Sequence, residues 1–527
     1  MSALASWNSV PVLVVGAGIM GSGIAQVAAQ AGHAVFLFDL RDGASVMAKE
    51  QLTATLKILV SKGKMSKQQA EVTLSRISPV SSLTEASSAL LVVEAIVEQL
   101  DAKQTLFRQL EGVLPSNAIL ATNTSSISVT AIAKGLQHPE RVVGMHFFNP
   151  VPLMRLVEVV HGLQTADHVA EAIYELSKNW GKVPVHAKST PGFIVNRIAR
   201  PYYAETMGIL QEQGAKPHEL DACLSTVGFK MGPCALMDLI GHDTNFAVTN
   251  SVYAANFFDK RFVPSIVQRE LVDGGLLGRK TGQGFYNYIG ADPGPPRLEV
   301  APSSSTLEQG ELVVHGSSAH ADWIAASLSG REGVRLHRDP TTEWTGIASG
   351  GFVLQMTDGR TASELGTVLR SEQVAVFDRF DPVRLHETKS PMPLAFAVPQ
   401  GCEAAVAQRA RDWLSALGFN PLQMKDLPGL VVARTLAMLI NEAADAVFQG
   451  VCEQEAADAA MKLGVNYPRG PFEWLAEWSA KPQSCATGVV AVLDSLDAYY
   501  RGERYRVSPW LRARSLRAIN SSSGALQ

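Results

Sequence analysis

At 527 residues the chain exceeds what one ordinary core supports, and three or four domains are expected. With 18% charged and 46% hydrophobic residues it is ordinary globular material, and a net charge of −4 offers no basic footprint for a nucleic-acid partner. Five cysteines (Cys223, Cys234, Cys402, Cys452, Cys485) lie far apart without a CxxC pair or zinc-ligand spacing, which argues against a disulfide framework or a metal and for a reducing compartment.

The first ten residues, MSALASWNSV, have neither a basic n-region nor an apolar h-region, so no secretory signal is expected. The most apolar later stretch, 429–448, carries Arg434, Asn441, Glu442 and Asp445 and suits a buried helix better than a membrane span. The expected location is cytoplasmic, with no membrane partner.

In chain order, 12–15, 35–38, 90–94, 119–122 and 142–145 are mostly apolar runs of strand length, as fully buried parallel strands are. Helical stretches at 21–31 and 102–114 lie between them. That alternation predicts an α/β Rossmann-type doubly wound domain over 1–188. The first strand runs into Gly16-Ala17-Gly18-Ile19-Met20-Gly21 and then an apolar helix. This is the GxGxxG turn in its required context, where the glycines allow a tight turn, backbone approach to a pyrophosphate and close helix packing. Asp39 ends the next strand, where an acid meets the adenosine ribose hydroxyls and repels a 2′-phosphate, so NAD is expected over NADP.

His146 stands at the end of a buried strand, followed by Phe147, Phe148 and an Asn149-Pro150 turn. Catalytic groups of open α/β sheets gather at the carboxyl ends of strands. Glu158 sits in another β-branched run, and a buried carboxylate among Val and Leu is costly unless paired. His146 is a natural partner. An imidazole can take a hydroxyl proton while a carboxylate orients the ring, but spacing alone leaves a core histidine and a strand-end acid equally open.

From 189 to 290 the pattern turns helical, ending in the glycine-dense turn around Lys280. Residues 291–310, rich in Pro, Gly and Ser at their start, read as a linker. Sliding the chain on itself by 237 positions lays Lys188-x-x-Pro191-Gly192 on Lys425-x-x-Pro428-Gly429, Arg197 on Arg434 and Glu205 on Glu442. The expected second half is therefore a diverged repeat: a degenerate Rossmann-like segment at 311–424, with strands at 311–314, 374–377 and 393–398 and a helix at 403–417, then a second helical domain at 425–515. A tail is expected over 516–527, disordered over 521–527. The shift carries Glu158 onto Ala395, Asn196 onto Ala433 and His146 onto Val383, and no GxGxxG appears at 305–335. A second dehydrogenase site is not expected.

The motifs Gly16–Gly21, Val93-Glu94-Ala95-Ile96-Val97-Glu98, Asn123-Thr124-Ser125-Ser126, His146-Phe147-Phe148-Asn149-Pro150, Leu156-Val157-Glu158 and Lys188-x-x-Pro191-Gly192-Phe193-Ile194-Val195-Asn196-Arg197 occur in this order. Together they resemble the L-3-hydroxyacyl-CoA dehydrogenase family over about residues 10–290. The resemblance implies NAD-dependent oxidation of an L-3-hydroxyacyl-CoA to its 3-oxoacyl-CoA, with His146 as catalytic base and Glu158 as its paired carboxylate. It implies that Ser125 and Asn196 hold the reacting oxygen and the thioester end of the substrate. It places Gly16, Gly18, Ile19, Met20, Gly21, Asp39, Glu98, Lys103, Ser125, Asn149 and Lys280 near the cofactor, and Thr55 and Lys62 near CoA, with Thr55 where relatives carry a serine.

Long bacterial members of this kind are similar to the 3-hydroxybutyryl-CoA and 3-hydroxyadipyl-CoA dehydrogenases of fatty-acid or phenylacetate-type β-oxidation. Since single-length members pair through their helical domain, an internal pseudo-dimer is expected here, with further homo-oligomerisation open. No hydratase-like segment precedes the α/β domain, so a bifunctional enzyme is not expected. A dehydrogenase of a free hydroxy acid and a non-catalytic NAD-binding interaction protein are the alternatives.

Overall fold

The computed structural model describes residues 7, 9–290, 293–299, 310–387, 390–478 and 485–523. The chain divides into two compact units, Met1–Arg197 with Gln449–Val465, and Ile198–Phe448 with Asn466–Gln527.

The first unit carries an eight-stranded sheet built from β1 (Val12–Val15), β2 (Val35–Phe38), β3 (Ile77–Pro79), β4 (Leu91–Glu94), β5 (Ile119–Thr122), β6 (Val142–Phe147), β7 (Leu156–His161) and β8 (Val183–Lys188), in the order β3-β2-β1-β4-β5-β6-β7-β8. The strands from β1 to β6 run parallel, whereas β7 is antiparallel to β6 and parallel to β8. Helices Ile19–Gln30 and Leu100–Val113 answer the two expected from sequence. The core joins Val12, Val14, Val93, Ala121, Val143 and Val159 of the strands to Ile24, Ile173 and Leu176 of the helices. Strand β6 continues past the expected 145, so His146 lies within it and faces β7.

A second piece of chain completes this unit. The helix Gln454–Gly464 packs on β7 and β8, and Lys188 N–H donates to the Val451 carbonyl at 2.9 Å. The doubly wound domain expected over 1–188 thus includes a segment from the far end of the sequence.

In the second unit, the helix Arg200–Gln211 packs on Val432–Phe448, with Arg434 Nε 2.8 Å from Glu205 Oε2 and both side chains buried. Its seven-stranded sheet consists of β9 (Gly310–His315), β10 (Val334–Asp339), β11 (Gly346–Ser349), β12 (Phe352–Met356), β13 (Val374–Phe377), β14 (Met392–Ala397) and β15 (Phe419–Gln423), ordered β10-β9-β11-β12-β13-β14-β15. The three expected strands and the expected helix (Ala404–Ala416) are present. Between β9 and β13 stands the antiparallel pair β11–β12, closed by Gly350 and Gly351 at positive φ, where a doubly wound fold has a parallel strand and crossover.

The duplication is visible at backbone level. Phe193 and Leu430, related by the shift of 237, both adopt positive φ (45° and 50°) after a Pro-Gly pair. Glu158 Oε1 accepts the amides of Ile194 and Val195, and Asp378 Oδ2 accepts those of their counterparts Val431 and Val432. The sequence shift laid His146 on Val383. The structure corrects this to Asp378, whose amide donates to the Ala395 carbonyl at 2.9 Å on the strand partner of β13. Five extra residues between Asp378 and Ala395, compared with His146 to Glu158, displaced the sequence match. The helix Pro509–Ser523 takes in the first three residues of the stretch expected to be disordered, and 524–527 lie outside the described residues, as do 291–292 and 300–309 of the linker.

Among the described residues no helix is long and apolar enough to cross a membrane, and no group of three or more His, Cys, Asp or Glu is placed to hold a metal ion.

Candidate active site

The turn after β1 has the shape an anion needs. At Gly16 (φ 103°) a Cβ would lie 2.4 Å from the Ala95 carbonyl oxygen, and at Gly21 it would lie 1.7 Å from the Gly16 carbonyl oxygen. The first sets the turn against the end of β4, and the second draws the helix Ile19–Gln30 tightly onto β1. Around a Cβ at Gly18 there is nothing within 4 Å, and Gly18 caps the helix without a side-chain hydrogen bond. The first amides of that helix therefore remain for a ligand, and the space over Gly18 admits a pyrophosphate. Ile19 is exposed and Met20 packs at the edge of the core.

Asp39, just past β2, accepts the Ala17 amide at 2.8 Å and the Arg41 amide at 2.9 Å, and Arg41 Nε lies 3.0 Å from its Oδ1. Burial alone would raise this carboxyl. Arg41 and the two amides outweigh it and hold the group below its ordinary value. An ionised acid thus sits beside the turn, placed for ribose hydroxyls. These residues fit NAD.

Under the turn lies a buried ion cluster. Lys103, 1% exposed, sits 2.6 Å from Glu94 and 3.3 Å from Glu98. Glu94 also accepts the Thr122 hydroxyl and the Ile96 amide. Glu98 Oε1 accepts from Thr124 Oγ1 (2.7 Å), the Ser125 amide (2.9 Å), the Ser126 amide (3.1 Å) and the Ser125 hydroxyl (3.2 Å). Burial opposes its charge, but Lys103 and these donors keep its carboxyl below the ordinary range. Glu98 thereby shapes the Asn123–Ser126 loop, and Asn123 Oδ1 in turn accepts the Phe147 amide beside His146 at 2.8 Å.

His146 and Glu158 are directly opposed on one antiparallel rung of β6 and β7. His146 Nδ1 lies 2.6 Å from Glu158 Oε2, with His146 5% exposed and Glu158 fully buried. A carboxylate can only accept, so Nδ1 carries the hydrogen and Nε2 presents its lone pair away from Glu158. Glu158 Oε1 takes the Ile194 and Val195 amides, both at 3.0 Å, at the start of the short helix Val195–Ile198 that carries Asn196. One carboxylate thus fixes both the imidazole and the backbone that aims Asn196. An unpaired acid at this depth would cost several kcal/mol. Phe148 and Phe193 flank the imidazole at 4.5 and 5.7 Å between ring centroids.

The first unit therefore contains His146, Glu158, Ser125, Asn196, the glycine turn, Asp39, Glu98, Lys103, Asn149, Thr55 and Lys62. Asn149 is exposed next to the flanking aromatics. Thr55 and Lys62 are exposed on the helix Ala44–Ser61 and at its C-cap, two turns apart and so on one face. Lys280 belongs to the second unit, where it pairs with Asp243. Sequence reasoning missed Glu94 as a member of the buried cluster, although the argument applied to Glu158 held for it: a lone acid within an apolar strand needs a partner. It also missed Lys182, whose ammonium bridges the Val151 and Met154 carbonyls (2.5 and 2.8 Å) and braces the loop after Asn149-Pro150. No sequence signal announced residues 449–465.

Comparison with known proteins fits this geometry. Residues 11–190 match the NAD-binding domain of 3-hydroxyacyl-CoA dehydrogenase, and its C-terminal domain matches twice, at 192–288 and 429–515. Residues 354–428 match a 3-hydroxybutyryl-CoA dehydrogenase reduced Rossmann-fold domain. The chain is 42% identical over 512 residues to a 3-hydroxyadipyl-CoA dehydrogenase of Escherichia coli K12, covering 97% of this chain and 98% of that protein. The crystal structure of a 3-hydroxybutyryl-CoA dehydrogenase from E. coli K12 aligns with a TM-score of 0.84 at 40% identity, over 97% of this chain and 99% of its own. A 3-hydroxybutyryl-CoA dehydrogenase of Clostridioides difficile is 41% identical over 276 residues, 52% of this chain and 98% of its own.

Proposed function

Since the chain belongs to the 3-hydroxyacyl-CoA dehydrogenase family, we propose that His146 and Glu158 carry out its NAD-dependent oxidation of an L-3-hydroxyacyl-CoA to the 3-oxoacyl-CoA. The observation that carries the residue assignment is the single carboxylate that binds both the His146 imidazole and the amides ahead of Asn196. His146 Nε2 takes the proton of the 3-hydroxyl as the C3–O bond becomes a carbonyl. Glu158 balances the imidazolium and keeps the ring from turning. The bound nicotinamide supplies the acceptor for the hydride leaving C3. Asn196 and the Ser125 hydroxyl hold the reacting oxygen and the thioester end. Lys103 acts on the cofactor site through Glu98, because its ammonium is spent on two carboxylates.

Thr55 and Lys62 present a hydroxyl and a cation on one helix face for the CoA moiety. Asn149 lines the edge of the cofactor surroundings. The paired helices Arg200–Gln211 and Val432–Phe448 support an internal pseudo-dimer of helical domains, with the second half as packing partner. Cytoplasmic location goes with this reading.

The relatives' names set the substrate range: a short 3-hydroxybutyryl or a carboxyl-tailed 3-hydroxyadipyl thioester. NADH formation from both, from 3-hydroxyhexanoyl-CoA and from the free 3-hydroxy acids tests the reading. Turnover of the thioesters is expected. Equal turnover of the free acids would move the substrate class to hydroxy acids, and no turnover of any would leave an NAD-binding interaction protein.

A further inference from the structure

Residues 449–465 come from the second repeat yet belong to the unit that holds the catalytic pair. Within that unit they touch each support of the pair. At the end of β8, the Lys188 amide donates to Val451, which is buried. Buried Arg197, adjacent to Asn196, donates to Gln449 Oε1 at 2.8 Å. Gly464 closes the helix Gln454–Gly464 against the sheet. A Cβ there would meet Leu156 Cδ2 at 2.7 Å, Val195 Cγ2 at 3.0 Å and Phe148 Cε1 at 3.6 Å. Leu156 begins the strand of Glu158, Val195 gives Glu158 an amide, and Phe148 packs with its ring tilted against His146. Cys452 lies close enough for its thiol to be pushed up to about 12 by burial and by the Glu158 carboxylate, with Arg197 working the other way. It therefore stays neutral and puts no second charge beside Glu158.

The second unit contains the reciprocal arrangement. The helix Pro217–Thr226, which the shift of 237 lays on Gln454–Gly464, packs on β14, and the thiol of its buried Cys223 feels the charge of Asp378. The helix of each repeat thus covers the sheet of the other. In the second sheet nothing catalytic is left to be positioned, whereas in the first the covering helix backs the residues that hold His146 and Glu158.

We propose that the 449–465 segment is a positioning element of the dehydrogenase site, in which Gly464 and Gln449 hold Phe148, Val195 and Arg197, and through them the His146–Glu158 pair, in reacting geometry. This rests on the catalytic assignment above. A misplacement of about 1 Å at reacting groups can cost on the order of a hundredfold in rate, so a slight lift of this helix would be read in kcat before it is read in cofactor binding.

The test uses full-length Gly464→Val, Gln449→Ala and Gln449→Glu, with His146→Gln alongside. For each, kcat with 3-hydroxybutyryl-CoA, the isotope effect on kcat with the 3-deuterated substrate, and NADH affinity by fluorescence are measured. Gly464→Val is expected to lower kcat about tenfold or more and to enlarge the isotope effect, with NADH affinity within about twofold of wild type. Gln449→Ala is expected to lower kcat about threefold or more, and Gln449→Glu, which keeps an acceptor for Arg197, to restore it. If Gly464→Val fails to fold, the Gln449 pair decides alone. A wild-type kcat in these variants overturns the proposal, as does a loss that weakens NADH binding in parallel and leaves the isotope effect unchanged. Full activity in His146→Gln would instead overturn the catalytic assignment.

Discussion

Asp378 donates its amide to the Ala395 carbonyl on the second sheet, at the rung where the first sheet sets His146 opposite Glu158. The carboxylate has crossed from one strand to the other. It keeps the task of binding the helix-start amides, which Val431, Val432 and Ala433 now supply, while no imidazole remains to be oriented. In the first sheet the same task is joined to the chemistry proposed for His146, and removing either partner should have different consequences.

His146→Gln removes the proposed base but leaves the glycine turn, Asp39 and the Glu94–Lys103–Glu98 cluster untouched. We expect kcat to fall about 10²–10⁴-fold with NADH affinity within a few-fold of wild type. A folded variant with wild-type kcat would remove His146 from the mechanism.

Glu158→Gln should cost both rate and stability. Three donors converge on this carboxylate, and an amide side chain has one oxygen to offer them, with its NH₂ group turned toward an N–H. A loss of about 1–3 kcal/mol in urea unfolding, a strong fall in kcat and an altered pH–rate profile are expected. An unchanged profile with lowered stability would make Glu158 structural only.

Asp39 should give NAD a higher kcat/KM than NADP. Because its folded pKa is lowered, the carboxylate stays charged until the pH falls through that value, so the preference should not relax toward mildly acid pH. Asp39→Ser should narrow the NAD/NADP ratio. Steady-state kinetics with both cofactors decides, and a wild-type preference for NADP would mean that Arg41 dominates the ribose end.

Asp378 provides a pH signature of the second half. Burial raises its carboxyl from 3.8 to about 6 despite the backbone amides that bind it. Between those values the folded chain holds a proton that the unfolded chain has lost. The contribution is complete below about pH 3.8 and disappears as pH rises through about 6. The stability difference between wild type and Asp378→Asn should therefore shrink over that window, by an amount on the order of 1–3 kcal/mol. Urea midpoints from pH 4 to 7.5 measure it. A difference that grew with pH would mean that the amides outweigh burial.

One NADH per chain is expected by calorimetry. The second sheet has lost both the glycine turn and the parallel strand order around it, since β9 is followed in the sheet by the β11–β12 hairpin. Two NADH per chain would overturn this.

Strands β1, β4, β5 and β6 of the first sheet were legible from sequence because they are buried on both faces and so read as apolar runs, and the turn signals its own context, whereas β3 (Ile77–Pro79) and β8 (Val183–Lys188) are mixed and were not read. Glu158 was legible by its cost. The second sheet was less so: β10 (Val334–Asp339) alternates Val, Arg, Leu, His at an edge, and the Ser349-Gly350-Gly351-Phe352 hairpin signal lay between short, mixed runs. Where residues 449–465 pack could not be read, because a helix's apolar stripe says that it packs and not which sheet it packs on.

That exchange makes order of synthesis matter. The sheet carrying His146 and Glu158 is complete once Lys188 has emerged from the ribosome, yet its unit cannot close until Val465 has followed. Through most of translation the nascent chain holds the finished His146–Glu158 pair under an uncovered layer, the kind of exposed surface that invites aggregation or chaperone capture. A nonsense codon shortly after Phe448 would delete neither the glycine turn nor His146 and Glu158, and would still remove the helix that packs on β7 and β8.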